Sequence, residues 1–414
     1  MTSAEDRGDP GGGVEGPSLR PPVRRPSGPI PPSGAWTPAS PAGSRRFVTV
    51  ADQRPFVLEG GGNLRDIRVA YETWGTLDAD AANAVLVCHA LTGDSHAAGE
   101  LGPGHPTEGW WDDLIGPGRP LDTNRYYVVC ANVLGGCQGT TGPASPHPVD
   151  GRPYGPRFPV VSIRDMVRTQ AMLADRLGIS RWLSVIGGSM GGMQVIEWAV
   201  MFPDRVASIA CIASTAAASA WQVAWSEVGR LAITLDPRWR DGDYYDAPPG
   251  EGPHEGLALA RRIAQIHYRS DQSLNDRFGR TTVEPWNGFR LWDRFQVESY
   301  LDYHGEKLVR RFDANSYLVL NKAMDLHDIG RGRGGIDAAL GRVRCPCLIV
   351  SVDSDALYTP RQQEELRDGL RAQGVPVEYL VLHSDHGHDG FLLEMEQLGP
   401  ALDAFVSDRC KERG

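Results

Sequence analysis

Trp182-Leu183-Ser184-Val185-Ile186-Gly187-Gly188-Ser189-Met190-Gly191-Gly192-Met193-Gln194-Val195-Ile196-Glu197-Trp198-Ala199 reads as three pieces joined end to end. An apolar strand from Trp182 to Ile186 enters a turn of small residues. Apolar positions at Met193, Val195, Ile196, Trp198 and Ala199 carry a helix out of it. Ser189 stands at the tip of that turn. A G-x-S-x-G run is common by chance in a chain with 49 glycines. With a strand before it and a helix after it, the run becomes the strained turn that exposes a nucleophilic serine. The helix also aims its free N–H groups and positive dipole end at charge developing beside that serine.

Upstream, Ala84 to Cys88 and Tyr126 to Cys130 are continuous apolar runs, the pattern of strands buried on both faces of a parallel sheet. Phe47 to Val50, Phe56 to Leu58 and the alternating Arg68 to Trp74 predict further strands ahead of them. Ile163 to Leu177 predicts a helix, and Val206 to Ala213 a strand beyond the serine turn. Strand alternating with helix predicts an α/β protein with a mostly parallel, doubly wound sheet. The alternation stops near Ser214. From Trp221 to about Arg331 the sequence is helical and rich in aromatics, with an exposed loop predicted over Ala247 to His254. Strands resume at Cys347 to Val352 and Val377 to Leu382, and a final helix is predicted from Leu392 to Cys410. The chain thus divides into a Pro/Gly-rich tail over 1–45, a core over 46–215 and 335–414, and a helical lid insertion over 216–334. The tail is expected to stay disordered, having too little apolar surface to offset its ordering entropy.

With 414 residues, 41% of them hydrophobic, the chain can bury a sizeable core. A net charge of −10 argues against a nucleic-acid partner. The seven cysteines are odd in number and scattered, and Cys88, Cys130, Cys211 and Cys347 fall in or beside apolar runs. That pattern suits reduced thiols of a cytoplasmic protein. Cys345-Pro346-Cys347 lacks C-x-x-C spacing and has no histidine pair to complete a zinc site, so no metal is expected. No apolar run reaches 18 residues, so no membrane span is expected, and an N-terminus without an apolar stretch argues against a secretory signal.

A serine nucleophile needs a base, and the base needs an acid to fix its tautomer. In the α/β-hydrolase order the acid follows a late strand and the histidine comes later still. Asp353-Ser354-Asp355-Ala356-Leu357-Tyr358-Thr359-Pro360 and His383-Ser384-Asp385-His386-Gly387-His388-Asp389-Gly390-Phe391 occupy those places. Both fall at the C-terminal ends of predicted strands, where open α/β sheets place their sites. Spacing leaves Asp353 and Asp355 competing for the acid, and His383, His386 and His388 for the base. An oxyanion hole needs two backbone donors. Met190 offers one, and Leu91, in the loop after the strand at 84–88, offers the other.

Five stretches together are similar to the homoserine O-acetyltransferase family of the α/β-hydrolase fold. They are His89 to Asp94, Asn132 to Pro143, Gly187 to Gln194, Asp325 to Asp328 and Gly387 to Leu392. The resemblance runs from about Phe47 to the C-terminus. It implies Asp355 as the acid, His388 as the base and Asp389 as a substrate-binding residue. Gly256 to Arg262 resembles the segment that carries the family's substrate-binding arginine, which implies Arg261, with Arg262 as the fallback. On spacing alone Arg261 reads as a surface arginine of an amphipathic helix. The family's acceptor is a zwitterion, so a cation for its carboxylate and an anion for its ammonium suit each other chemically. The resemblance further implies acetyl-CoA as co-substrate, no other cofactor, L-homoserine as acceptor and a homodimer. Variants using succinyl-CoA or serine, and a plain serine esterase, are the alternatives.

Overall fold

In a computed structural model of the chain, residues 30–284 and 291–411 are described. The core is an eight-stranded sheet of β1 (Arg46–Val50), β2 (Ile67–Trp74), β3 (Ala84–Cys88), β4 (Tyr127–Ala131), β5 (Ser184–Gly188), β6 (Ile209–Ile212), β7 (Cys347–Val352) and β8 (Val377–Leu382). Their spatial order is β1-β2-β4-β3-β5-β6-β7-β8. β2 pairs antiparallel with both its neighbours, while every pairing from β4 onward is parallel. The continuous apolar runs have the cause inferred from them. Val85 and Val87 of β3 point into one core cluster and Ala84, Leu86 and Cys88 into the other, on the opposite face. Val85, Leu86 and Val87 are fully buried, each stabilising the sheet by about 1.5–3 kcal/mol.

Between the strands run α1 (Ile163–Arg176) and α2 (Met190–Met201). Ser162 caps α1 by accepting from the Asp165 N–H, and the Asp165 carboxylate accepts from the Ser162 N–H in return. α2 is apolar almost all round, as a helix buried under the sheet's centre must be. Its Glu197 is buried but paired, with Arg164 of α1 at 3.0 Å and Arg333 at 2.8 Å. β5 begins two residues later than predicted and keeps both glycines, because Gly187 and Gly188 still pair with Cys211 and Ile212 of β6.

The cap carries α3 (Ala220–Thr234), α4 (His254–Tyr268), α5 (Asp271–Phe278), α6 (Gln296–Val309) and α7 (Ala314–Asp325). Its two chain crossings are pinned together. The Ala218 N–H donates to His327 O at 2.9 Å and the Ile329 N–H to Ala216 O at 3.0 Å. A ring nitrogen of His327 lies 3.0 Å from Thr215 O. After this neck come α8 (Ile336–Leu340), α9 (Pro360–Ala372), α10 (Gly390–Leu393) and α11 (Met395–Lys411). The predicted final helix is thus two helices, broken at Glu394, whose ψ of 54° leaves the helical region.

One expectation needs correction. Residues 30–45, read as the end of a disordered tail, are laid across the molecule. Ile30 is buried, the Gly34 N–H donates to Phe312 O, and the Trp36 N–H donates to Cys137 O. The buried Arg45 donates to Gly104 O at 2.7 Å and to Gln138 at 3.1 Å. Backbone bonds and a few single anchors hold this segment, and neither leaves an apolar period to read. Residues 1–29 lie outside the described residues.

Candidate active site

Ser189 sits between β5 and α2 with φ 58° and ψ −124°, a conformation that non-glycine residues rarely adopt. The surroundings enforce it. The Ser189 N–H donates to Ile212 O at 2.9 Å, and the Ser214 hydroxyl donates to Ser189 O at 2.8 Å. A Cβ at Gly191 would stand 2.1 Å from Cys88 O, and one at Gly188 would stand 2.5 Å from the Phe391 ring. The turn is therefore wedged between β3 and the loop that bears His388.

His388 Nε2 lies 2.8 Å from Ser189 Oγ, and His388 Nδ1 lies 2.7 Å from Asp355 Oδ2. The other Asp355 oxygen accepts from the Leu357 and Tyr358 N–H groups at 2.8 and 2.9 Å. All three side chains are buried. Of the candidates left open by spacing, the structure brings Asp355 and His388 to Ser189 and turns the others away. Asp353 and His383 pair with each other at 2.9 Å near solvent, and His386 Nδ1 lies 3.4 Å from the Arg269 guanidinium.

Burial works against a charge on His388, but the Asp355 carboxylate, by its charge and hydrogen bond, and then Asp389 outweigh it and raise its pKa above 6.5. His267, packed on Trp225, behaves oppositely. Burial, helped by His388 and Arg261, pushes it down to about 3. Of the two, His388 is the imidazole whose surroundings favour the protonated form.

Met190 opens α2, so its N–H has no intrahelical acceptor. Leu91 is buried in the loop after β3. That loop is pressed onto the serine turn, since the Gln194 amide donates to both His89 O at 3.2 Å and Met190 O at 3.0 Å. With the Met190 N–H next to the serine and the Leu91 loop packed on the same turn, a pair of backbone N–H groups is available to a tetrahedral oxyanion.

α4 supplies the cation. Arg262 is committed within the cap, 2.8 Å from Asp302. Arg261 has no carboxylate at ion-pair distance among the described residues, and its guanidinium stacks over Tyr268 at 5.5 Å. The Tyr268 ring is itself 5.7 Å from His388. Asp389 adjoins His388 and pairs with Arg269 at 3.3 Å. Tyr268 and Arg269 were not singled out in the sequence. The signal was available, since Tyr268 is two helical turns beyond Arg261 and so shares its face.

One further cluster has ligand-like spacing among the described residues: Glu72, His96 and His105, with donor atoms within 4.8 Å of one another. Its atoms, except the buried His105 Nδ1, are already engaged. His96 Nδ1 lies 2.9 Å from Glu72 Oε2, and its Nε2 lies 3.3 Å from Glu100 O. Ser95 donates to Glu72 Oε1 at 2.9 Å, and the Ser44 N–H donates to His105 Nε2 at 2.9 Å. Burial opposes charge on His96, but its hydrogen bond to Glu72 and the charges of Glu72 and Asp94 outweigh it and raise its pKa. The cluster is a hydrogen-bonded junction between β2, the loop after β3 and the segment entering β1. All seven cysteines are unpaired, six of them buried. No helix of the described residues is long and apolar enough to cross a membrane.

Residues 83–394 match the family model described as alpha/beta hydrolase fold. The chain is 52% identical over 373 residues to a homoserine O-acetyltransferase of Thermobifida fusca, covering 89% of this chain and 96% of that one. It is also 52% identical over 372 residues to one of Clavibacter michiganensis, covering 90% and 95%. Among solved structures, it is similar to homoserine O-acetyltransferase from Bacillus anthracis, with a TM-score of 0.80, 29% identity and coverage of 87% and 97%. Esterase E22 gives a TM-score of 0.79 at 29% identity, with 87% and 99% covered.

Proposed function

Because the chain belongs to the homoserine O-acetyltransferase family of the α/β-hydrolase fold, we propose that it carries an acetyl group from acetyl-CoA to L-homoserine through an acyl-serine at Ser189. His388 takes the Ser189 proton as Oγ attacks the thioester carbonyl carbon, while Asp355 holds the imidazole in its tautomer. The Leu91 and Met190 N–H groups receive the oxyanion. The C–S bond breaks, and His388 returns the proton to the departing thiolate. The acceptor hydroxyl then gives its proton to His388 and attacks the acyl-serine, and collapse of the second tetrahedral species expels Ser189 Oγ, which takes that proton back from His388. No cofactor beyond the acetyl-CoA co-substrate enters this scheme.

The observation that carries the reading is an arginine without a carboxylate partner among the described residues, in the same site as a carboxylate that adjoins the catalytic base. Arg261 matches the carboxylate of an amino acid and Asp389 its ammonium. A plain esterase has no use for such a pair. Hydroxylamine trapping after mixing with acetyl-CoA tests the scheme. An acetyl hydroxamate is expected from the wild type and none from Ser189→Ala. Undiminished CoA release by Ser189→Ala would remove the nucleophile assignment. Product mass spectrometry with homoserine and serine, each with acetyl-CoA and succinyl-CoA, tests donor and acceptor. Water outcompeting homoserine for the acyl-enzyme would favour the esterase reading.

The protein acts as a cytoplasmic homodimer in this proposal. Trp221, Val228, Leu231 and Leu235 form an exposed apolar stripe along α3 and just past its end, and Leu259 and Ile266 extend it on the adjoining α4. Contiguous exposed apolar surface of this kind marks an interaction face. Buried free thiols suit a reducing compartment.

A further inference from the structure

A cavity of about 620 Å³ opens beside the catalytic loop, between α5 and residues 383–386, with Arg269, Arg277 and His386 in its wall. His386 is two residues from His388, and Arg269 pairs with Asp389. The cavity is therefore next door to the acyl-transfer chemistry without containing it. Through Arg277 the cavity wall adjoins a cationic cluster around His304. The exposed Arg277 lies over the Tyr300 ring of α6 at 5.0 Å, and Tyr300 packs on His304 with ring centres 4.4 Å apart. Lys307 follows His304 by one helical turn and is exposed. Neither Arg277 nor Lys307 has a carboxylate at ion-pair distance among the described residues. After burial, the charges of Arg261, Arg269, Lys307 and Arg277 all act on His304, pushing it down to about 4. Positive charge is thus gathered around His304, beside a cavity wall that also carries Asp276, Asp353, Asp385 and Glu394, in a chain whose net charge is −10.

Three of the four carboxylates sharing the cavity wall already accept hydrogen bonds. Asp353 holds His383 and the Ser384 N–H, Glu394 accepts from the Ser384 hydroxyl, and Asp276 accepts from Gln272. Asp385 has no side-chain partner among the described residues and opposes an anion in this place.

We propose that Arg277, Lys307 and His304 form the landing site for the phosphate groups of the acyl donor, with the cavity beside the catalytic loop taking the nucleotide end. This rests on acetyl-CoA being the donor. It adds the residues that distinguish a coenzyme A thioester from a bare one. Arginine and lysine suit this work, arginine as a fork and lysine as a point charge, and at an exposed rim they set encounter rate and salt dependence as much as affinity.

The test compares acetyl-CoA with S-acetylpantetheine, which carries the same thioester without the nucleotide, by stopped-flow acylation of the full chain. Arg277→Ala/Lys307→Ala is expected to raise the KM for acetyl-CoA roughly tenfold, the sum of two partly exposed charge contacts. It should leave acylation by S-acetylpantetheine unchanged. The wild-type KM for acetyl-CoA should climb with ionic strength, and the double variant should lose most of that slope. Asp385→Asn should lower the KM for acetyl-CoA alone. An equal change with both donors, or no change with either, overturns the phosphate site and leaves the acetyl-CoA reading standing. Failure of the wild type to be acylated by acetyl-CoA at all overturns both.

Discussion

Asp389 serves two partners, raising the pKa of its neighbour His388 while pairing with Arg269. A base must be neutral to act, so the acid limb of acylation should lie above the ordinary histidine value of 6.5 and rise with pH. Asp389→Asn removes a charge that favours the imidazolium, so the limb should move to lower pH while the homoserine requirement climbs. A limb that stays in place in single-turnover CoA release would separate Asp389 from the base. Arg261→Ala should cost about 2–5 kcal/mol in the second half-reaction, the usual penalty for losing a desolvated charge partner. Acylation should be nearly untouched, and Arg262→Ala should cost at most about 1 kcal/mol, as for other partly exposed pairs. Transfer kinetics with homoserine as the varied substrate decide it, and equal losses for both variants would cancel the distinction. At this scale the sequence was only partly legible. Spacing located both loops but could not choose between Asp353 and Asp355, because two residues apart on one loop can face opposite ways. Here one faces water with His383 and the other faces the serine. Family resemblance made the choice that spacing could not.

At the scale of elements, the serine turn depends on how closely three backbones approach. Gly191→Ala would place its Cβ 2.1 Å from a backbone oxygen of β3 that cannot swing aside. Overpacking of this kind costs about 1–3 kcal/mol, and the displaced loop carries Leu91, so acylation should slow more than the melting temperature falls. A variant that melts lower yet acylates at the wild-type rate would show the loop to be independent of the turn. The junction of Glu72 and His96 gives a second expectation. The folded pKa of His96 is raised, so its contribution is complete below about 6.5 and disappears as pH climbs through the folded value. Denaturant midpoints should fall over that window, and Glu72→Gln should flatten the fall. Strands buried on both faces announced themselves as unbroken apolar runs. The stretch over 30–45 did not, because it is held through backbone groups and isolated anchors such as Arg45.

Taken whole, the molecule exposes an apolar stripe on the cap, and one end of it reaches the loop after β7, where the Trp221 indole donates to Ala356 O at 2.8 Å. Val228→Asp with Leu231→Asp should yield a monomer in sedimentation velocity where the wild type gives a dimer. A dimer that survives both charges would move the interface elsewhere. The alternation of strand and helix made the core's architecture readable, and its interruption made the insertion readable, but residues half exposed in one chain carry no mark of what covers them. The position of that insertion has a temporal consequence. Ser189 lies before the cap in the chain, while Asp355 and His388 lie after it. A ribosome completes the roof before it delivers the base, since domains are made from the N-terminus onward. In the proposed scheme the serine is synthesised early and armed late, because a nascent chain lacks its base until the cap is complete.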